Sequence, residues 1–252
     1  MLLRTPPIPV LMYHQVDVLH TKRDKMRGLV VAPRTFYSQL LTLKLLGYQG
    51  LSMKDLMPYV KGEKKGRVVG ITFDDGYLNN VENALPVLQR FGFSATCYLV
   101  TQRLGTTNAW DSATGVPSAP LMNAHHVEKW LQAGQDVGAH TRNHVDLSAA
   151  TNQEVIDEVA GSQSDLAALF GSEYAQHFCY PYGRYDSRGL HAVKAAGFAT
   201  ATTTQRGRAT ASDDIHRLPR VLVSRTTLPF ALASKILTSY EDRRREKSQT
   251  II

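Results

Sequence analysis

Arg67-Val68-Val69-Gly70-Ile71-Thr72-Phe73-Asp74-Asp75-Gly76-Tyr77 is a nearly continuous apolar run that ends in two adjacent carboxylates and a glycine. A run of this length, rich in β-branched residues, reads as a strand buried on both faces, which is the setting of a parallel sheet. No partner strand follows at hairpin distance, so the Asp-Asp-Gly is a strand end and not a hairpin turn. Within a strand Asp74 and Asp75 would face opposite sides. At its end, with Gly76 freeing the backbone, both can turn toward one centre. Two close carboxylates repel, and a divalent cation between them removes the repulsion.

Other runs of the same kind cover residues 8–14, 94–100, 136–140, 177–181, 199–203 and 217–223. Helical patterns lie between them. Phe36, Leu40, Leu43 and Leu46 form a stripe that stops at Gly47. Asn123 caps a segment with Val127, Trp130 and Leu131 that stops at Gly134. Thr151 and Glu154 make a capping box ahead of Val155, Val159, Leu166 and Leu169, and Asp186 caps a segment ending at Gly197. Strands alternating with helices predict an α/β fold, a parallel sheet of about seven strands closed into a (β/α) barrel. Residues 1–240 read as one domain and 241–252 as a charged, frayed C-terminal tail. Cys97 and Cys179, inside strand-like runs, read as buried small hydrophobes.

The net charge of +7 gathers partly in Lys22, Arg23, Lys25 and Arg27 and partly in Arg243, Arg244, Arg245 and Lys247. Neither group is interleaved with aromatics and no nucleic-acid motif is present, so nucleic acid is not an expected partner. A solvated basic surface is the plain reading. Peripheral contact with an anionic membrane or a diphosphate-linked glycan is the sharper one. The N-terminal residues lack the pattern of a secretory signal, so the expected location is the cytoplasm, at the inner membrane face if the lipid contact holds.

The second chemical segment is Gly138-Ala139-His140-Thr141-Arg142-Asn143-His144. Two imidazoles four residues apart at a strand end, with Asp75, make a His2Asp donor set that leaves coordination positions open. Asp74 is then a spare carboxylate beside it. His14 and Tyr182 also fall at strand ends. In a barrel all these ends share one rim, where active sites gather. The Gly-, Ser-, Thr- and Pro-rich stretch 101–122 should overhang that rim. Trp110 and Tyr185 could stack on sugar rings, although packing is the commoner role for an aromatic.

Thr72-Phe73-Asp74-Asp75-Gly76-Tyr77, His140-Thr141-Arg142-Asn143-His144 and Tyr180-Pro181-Tyr182-Gly183 together resemble three motifs of the NodB-type polysaccharide deacetylases, carbohydrate esterase family 4. Val10-Leu11-Met12-Tyr13-His14 is similar to the opening of one branch, the poly-N-acetylglucosamine deacetylases. The resemblance implies a deformed (β/α) barrel and removal of an N-acetyl group from an amino sugar. It implies that Asp75, His140 and His144 bind the metal, with zinc the default and iron, cobalt or nickel also compatible. It implies Asp74 as base for the metal-bound water, His14 as acid for the leaving amine, and the Tyr182 backbone N–H at the oxyanion. An N-acetylated saccharide would be the substrate; the oligomeric state is not readable.

Two departures matter. The family often has a base-orienting arginine where this chain has Cys179, so Arg217 or Arg220 would have to substitute. No histidine follows Val223, and His216 precedes its strand, which leaves His14 as the acid. Three rival readings remain: an amidase or deformylase of the same scaffold acting on a small amide, an iron oxygenase with the same ligands, and an inactive glycan-binding relative. The oxygenase has no evident use for Asp74.

Overall fold

The computed structural model describes residues 6–19 and 24–249. Lys22 and Arg23 lie outside the described residues. The strands are β1 (Val10–Tyr13), β2 (Gln15–Val16), β3 (Val30–Val31), β4 (Gln49–Leu51), β5 (Val68–Phe73), β6 (Thr96–Leu99), β7 (Asp136–Ala139), β8 (His177–Cys179), β9 (Thr200–Arg206) and β10 (Leu218–Leu222). The helices are α1 (Pro33–Leu45), α2 (Met53–Val60), α3 (Leu85–Phe91), α4 (Ala124–Gln132), α5 (Asn152–Phe170), α6 (Ser187–Ala195), α7 (Pro229–Leu237) and α8 (Tyr240–Gln249).

The strand order β1-β10-β9-β8-β7-β6-β5 closes through a β1–β5 pairing, and every pairing is parallel. This is the seven-strand (β/α) barrel expected, and each expected strand run overlaps one barrel strand, β9 running on to Arg206. One edge of β5 is shared between two strands: Val68–Gly70 pair with β4, and Thr72–Phe73 pair with β6, while β1 runs along the other edge. The wedged β4 deforms the barrel. Its three residues, Gln49-Gly50-Leu51, are too few to show a period, so the sequence did not mark it. β2 and β3 form a separate two-residue ribbon at the rim.

The helix stripes pack as their spacing implies. Phe36, Leu40 and Leu43 of α1 are fully buried, as are Val127 and Trp130 of α4. Phe36 and Phe73 close around Tyr13 with ring centroids 5.3 and 5.4 Å away, and Trp130 stands edge-on to Phe73. Asn123, the Thr151–Glu154 box and Asp186 cap α4, α5 and α6. Leu169 departs from the expected stripe: it is half exposed at the end of α5. The segment expected to fray begins instead as α8, because Glu241 is buried between Arg206 and Lys235 and fastens the helix to β9. Cys97 and Cys179 are buried free thiols. Among the described residues no helix is long and apolar enough to cross a membrane.

The N-terminal end of the barrel holds a buried polar cluster. The Asp136 carboxylate accepts from Thr96 Oγ1 at 2.7 Å and lies 3.9 Å from His177, whose Nδ1 meets Thr200 Oγ1 at 2.8 Å. Burial pushes Asp136 up to about 7, against the hydrogen bond from Thr96. Burial, helped by Lys54, holds His177 down at about 4. Both stay uncharged between those values, and their linkages to stability have opposite signs. The raised Asp136 stabilises the fold at low pH, and that contribution is lost as pH rises toward 7. The depressed His177 stabilises it above the ordinary imidazole range, and that contribution is lost as pH falls toward 4. His177→Gln should therefore give a Tm that falls as pH rises from about 4 to 7, and Asp136→Asn one that falls as pH drops from about 6.5 to 4. Scanning calorimetry across this range checks both; slopes of the same sign in the two variants would contradict the assignment.

Candidate metal and catalytic site

The backbone at the C-terminal rim is bent sharply where the chemistry lies. Among the described residues five non-glycine positions have positive φ, and four of them are Asp75 (74°), Thr141 (62°), His144 (61°) and Tyr182 (57°). Such conformations cost free energy and persist where surrounding structure enforces them. Asp75 and Gly76 are consecutive left-handed residues just after β5, and they turn Asp75 inward beside Asp74.

His140 follows β7 and His144 ends the next loop. Their Nε2 atoms lie 3.4 and 3.2 Å from Asp75 Oδ1. One donor atom from each of the three residues falls within a 4.8 Å span, and all three residues are buried. His140 Nδ1 sits 2.7 Å from the Cys179 carbonyl, so this nitrogen donates and Nε2 is aimed at the centre. Burial holds His144 below the usual imidazole range despite Asp75, which keeps that ring neutral. His140 is held well above the range; burial opposes this, and Cys179 and Asp75 outweigh it. A cation taken up there must displace the His140 proton. The donor chemistry and spacing fit a divalent cation. Asp74, His140 and Cys179 also cluster, but Arg220 already engages both Asp74 oxygens and the thiol.

The His140–His144 loop is gripped from α5. The Glu158 carboxylate accepts the Arg142 and Asn143 N–H groups and Asn143 Nδ2, each at 2.8 Å. Asp165 takes the Arg142 guanidinium at 2.9 and 2.7 Å and the Thr101 hydroxyl at 2.7 Å. The His144 N–H donates to Thr141 Oγ1. Trp110 stacks on the His144 ring at 4.5 Å and Tyr182 meets it edge-on at 4.6 Å. Trp110 thus packs against an imidazole, and Tyr185 stacks on Tyr180. Glu158 and Asp165 were not singled out from sequence; acids on an amphipathic helix carry no signal of what they will grip.

Asp74 is held from across the barrel. Arg220 of β10 donates to its two oxygens at 2.6 and 2.7 Å, and both side chains are buried. The same guanidinium donates to Thr203 O, Thr72 Oγ1 and Cys179 Sγ. Burial alone would raise the Asp74 carboxyl; the charge and hydrogen bonds of Arg220 outweigh it and lower the pKa. Arg217, the other candidate, pairs with Asp214 away from the centre. His216 also lies away from the rim, its ring on Phe198 O. His14 Nε2 is 3.9 Å from Asp74 Oδ2.

His14, Asp74, Asp75, His140 and His144 line one pocket of about 440 Å³, together with Tyr77, Asp111 and Tyr182. The 101–122 stretch walls it as expected. It is anchored by Met122 N–H to Gly76 O and by Leu78 N–H to Pro120 O.

Replacing Arg220 by Met strands the Asp74 charge in a buried site. The expected loss is about 3–5 kcal/mol in urea denaturation, with partial recovery when Asp74→Asn is added. A loss under about 1 kcal/mol would show the pair to be incidental.

Comparison with known proteins places this geometry in a family. The chain is 29% identical over 222 residues to YxkH of Bacillus subtilis, covering 86% of this chain and 71% of that protein. It is 27% identical over 214 residues to the poly-beta-1,6-N-acetyl-D-glucosamine N-deacetylase of Staphylococcus epidermidis, covering 79% and 70%. The Streptococcus pyogenes deacetylase PplD, solved in complex with acetate, superposes with a TM-score of 0.79 at 25% identity, over 92% of this chain and 99% of that one. The family model for polysaccharide deacetylase matches residues 61–201, a span holding Asp74, Asp75, His140, His144 and Tyr182, and the chain belongs to the polysaccharide deacetylase family.

Proposed function

We propose that this enzyme removes the N-acetyl group from an amino sugar in an N-acetylglucosamine-containing glycan, using a divalent cation held by Asp75, His140 and His144. The observation that carries the reading is the ionised, uncoordinated Asp74 fixed by Arg220 next to a buried His2Asp donor set. A cation there supplies a Lewis acid for the amide carbonyl and lowers the pKa of a water at the site. Zinc is the default for these ligands, with iron, cobalt or nickel compatible.

Asp74 is the general base. Arg220 keeps it deprotonated and fixes its direction, so it is ready to accept a proton from the attacking water. The Arg220 contact engages each carboxylate oxygen in the resting site. Proton acceptance therefore uses a remaining lone pair, and Arg220 restrains how basic Asp74 becomes. His14, whose Nε2 lies 3.9 Å from Asp74 Oδ2, is the acid that protonates the departing amine. The Tyr182 backbone N–H is assigned to the developing oxyanion. The pocket of about 440 Å³ supports a sugar-sized ligand, and the named Staphylococcus epidermidis relative supports N-acetylglucosamine as the unit.

Acetate release from N-acetylglucosamine oligomers, with metal content measured on the same samples, tests the reading. Asp74→Asn should keep the metal and lose about 10²–10⁴ in kcat. His140→Ala should lose the metal. His14→Ala should lose far more activity on an N-acetyl sugar than on 4-nitrophenyl acetate, whose leaving group needs no proton. Metal-loaded protein that releases no acetate from any oligomer would overturn the proposal, and equal losses on amide and ester would remove His14 from the acid role.

A further inference from the structure

A second groove, of about 530 Å³, runs beside the candidate site and shares Thr204 with it. β9 supplies one wall through Thr203–Arg206, Tyr185 and Arg217 another, and α8 the third through Arg244 and Arg245. Four arginines line it against a single carboxylate, Asp214. Two of them are committed to acids behind the wall: Arg206 to the buried Glu241, and Arg245 to Asp213. Asp214 is itself shared between Lys194 and Arg217. Lys235 also reaches Glu241. In and behind the groove, six cations thus face three carboxylates; Arg217 shares Asp214 with Lys194, and Arg244 pairs with none of the three. Both are exposed, and the Arg244 guanidinium lies over the Tyr240 ring with its centre 4.5 Å from the ring centroid.

A solvated basic patch would scatter its charges over a convex surface. Here they converge on a concavity that shares one lining residue, Thr204, with the catalytic pocket. Guanidinium groups in such a place suit planar or tetrahedral oxyanions, which they bind through paired N–H donors. We infer that this groove is a substrate subsite: it takes an anionic substituent of the glycan, a phosphodiester or a carboxylate, while an N-acetyl group of the same chain occupies the catalytic pocket. The inference rests on the glycan deacetylase reading above and adds to it the charge of the substrate. Arg217 and Arg244 hold the anion, and Thr204 lines both sites.

The test compares three probes: a neutral N-acetylglucosamine oligomer, the same oligomer bearing a glycerol phosphodiester, and the same oligomer bearing a glucuronate. Binding to the metal-loaded enzyme is measured by calorimetry, and acetate release in parallel. At least one anionic probe should bind on the order of tenfold more tightly than the neutral one. That advantage should shrink as salt is raised. It should vanish in Arg217→Gln/Arg244→Gln and survive in Arg243→Gln, an exposed change on the same helix outside the groove. The neutral probe should be unaffected by either variant. Which anionic probe gains decides between phosphodiester and carboxylate. Equal binding of all three probes, or an advantage that survives the double substitution, overturns the subsite. Calorimetry needs no turnover. An anion preference without acetate release would therefore sink the deacetylase reading alone, and acetate release without an anion preference would sink the subsite alone.

Discussion

A buried carboxylate is expensive, and this fold holds two of them side by side at the end of one strand. Arg220 makes the first tolerable. Its guanidinium reaches from β10 to Asp74 with both oxygens engaged, and ties in Thr72, Thr203 and Cys179. This single contact joins residues 146 positions apart and fixes β10 relative to β5. Asp75, the second carboxylate, is met by a different device, two imidazoles from the loop after β7, of which His140 carries the charge. Division of labour between neighbours follows: one aspartate is committed to a guanidinium and stays basic, the other faces the ligand centre.

The strain around that centre is distributed and opposed. Asp75, Thr141, His144 and Tyr182 all take conformations that an unconstrained chain avoids. Glu158 and Asp165 on α5 supply the restraint for the histidine loop through five hydrogen bonds to Arg142, Asn143 and neighbouring backbone. α5 is itself held by its capping box and by Val155, Val159 and Leu166 in the core. A long, well-anchored helix therefore pins a short, strained loop, and the histidine positions inherit the rigidity of the barrel wall.

Most barrel strands were legible because parallel strands covered on both faces are largely apolar, and β9, Thr200–Arg206, because its threonines are β-branched. The helix ends were legible because caps are local: Asn123, Thr151 with Glu154, and Asp186 act on residues two or three positions away. β4 was not legible, since its three residues pair only because β6 leaves the lower half of one β5 edge open. α8 misled for a different reason. Its charged run reads as solvent-facing, yet Glu241 finds Arg206 and Lys235 in the fold and becomes buried.

The site divides the same way. The sequence by itself determined the donor types and their order along the chain, and through the strand pattern it put Asp74, Asp75, His140, His144 and His14 at ends that share one rim. It left open which arginine would meet Asp74, and it was silent on Glu158, Asp165 and the arginine-lined groove. Only the tertiary structure decided those, because strand ends and caps depend on near neighbours, whereas a guanidinium finds its carboxylate through barrel closure and register, which no local pattern encodes.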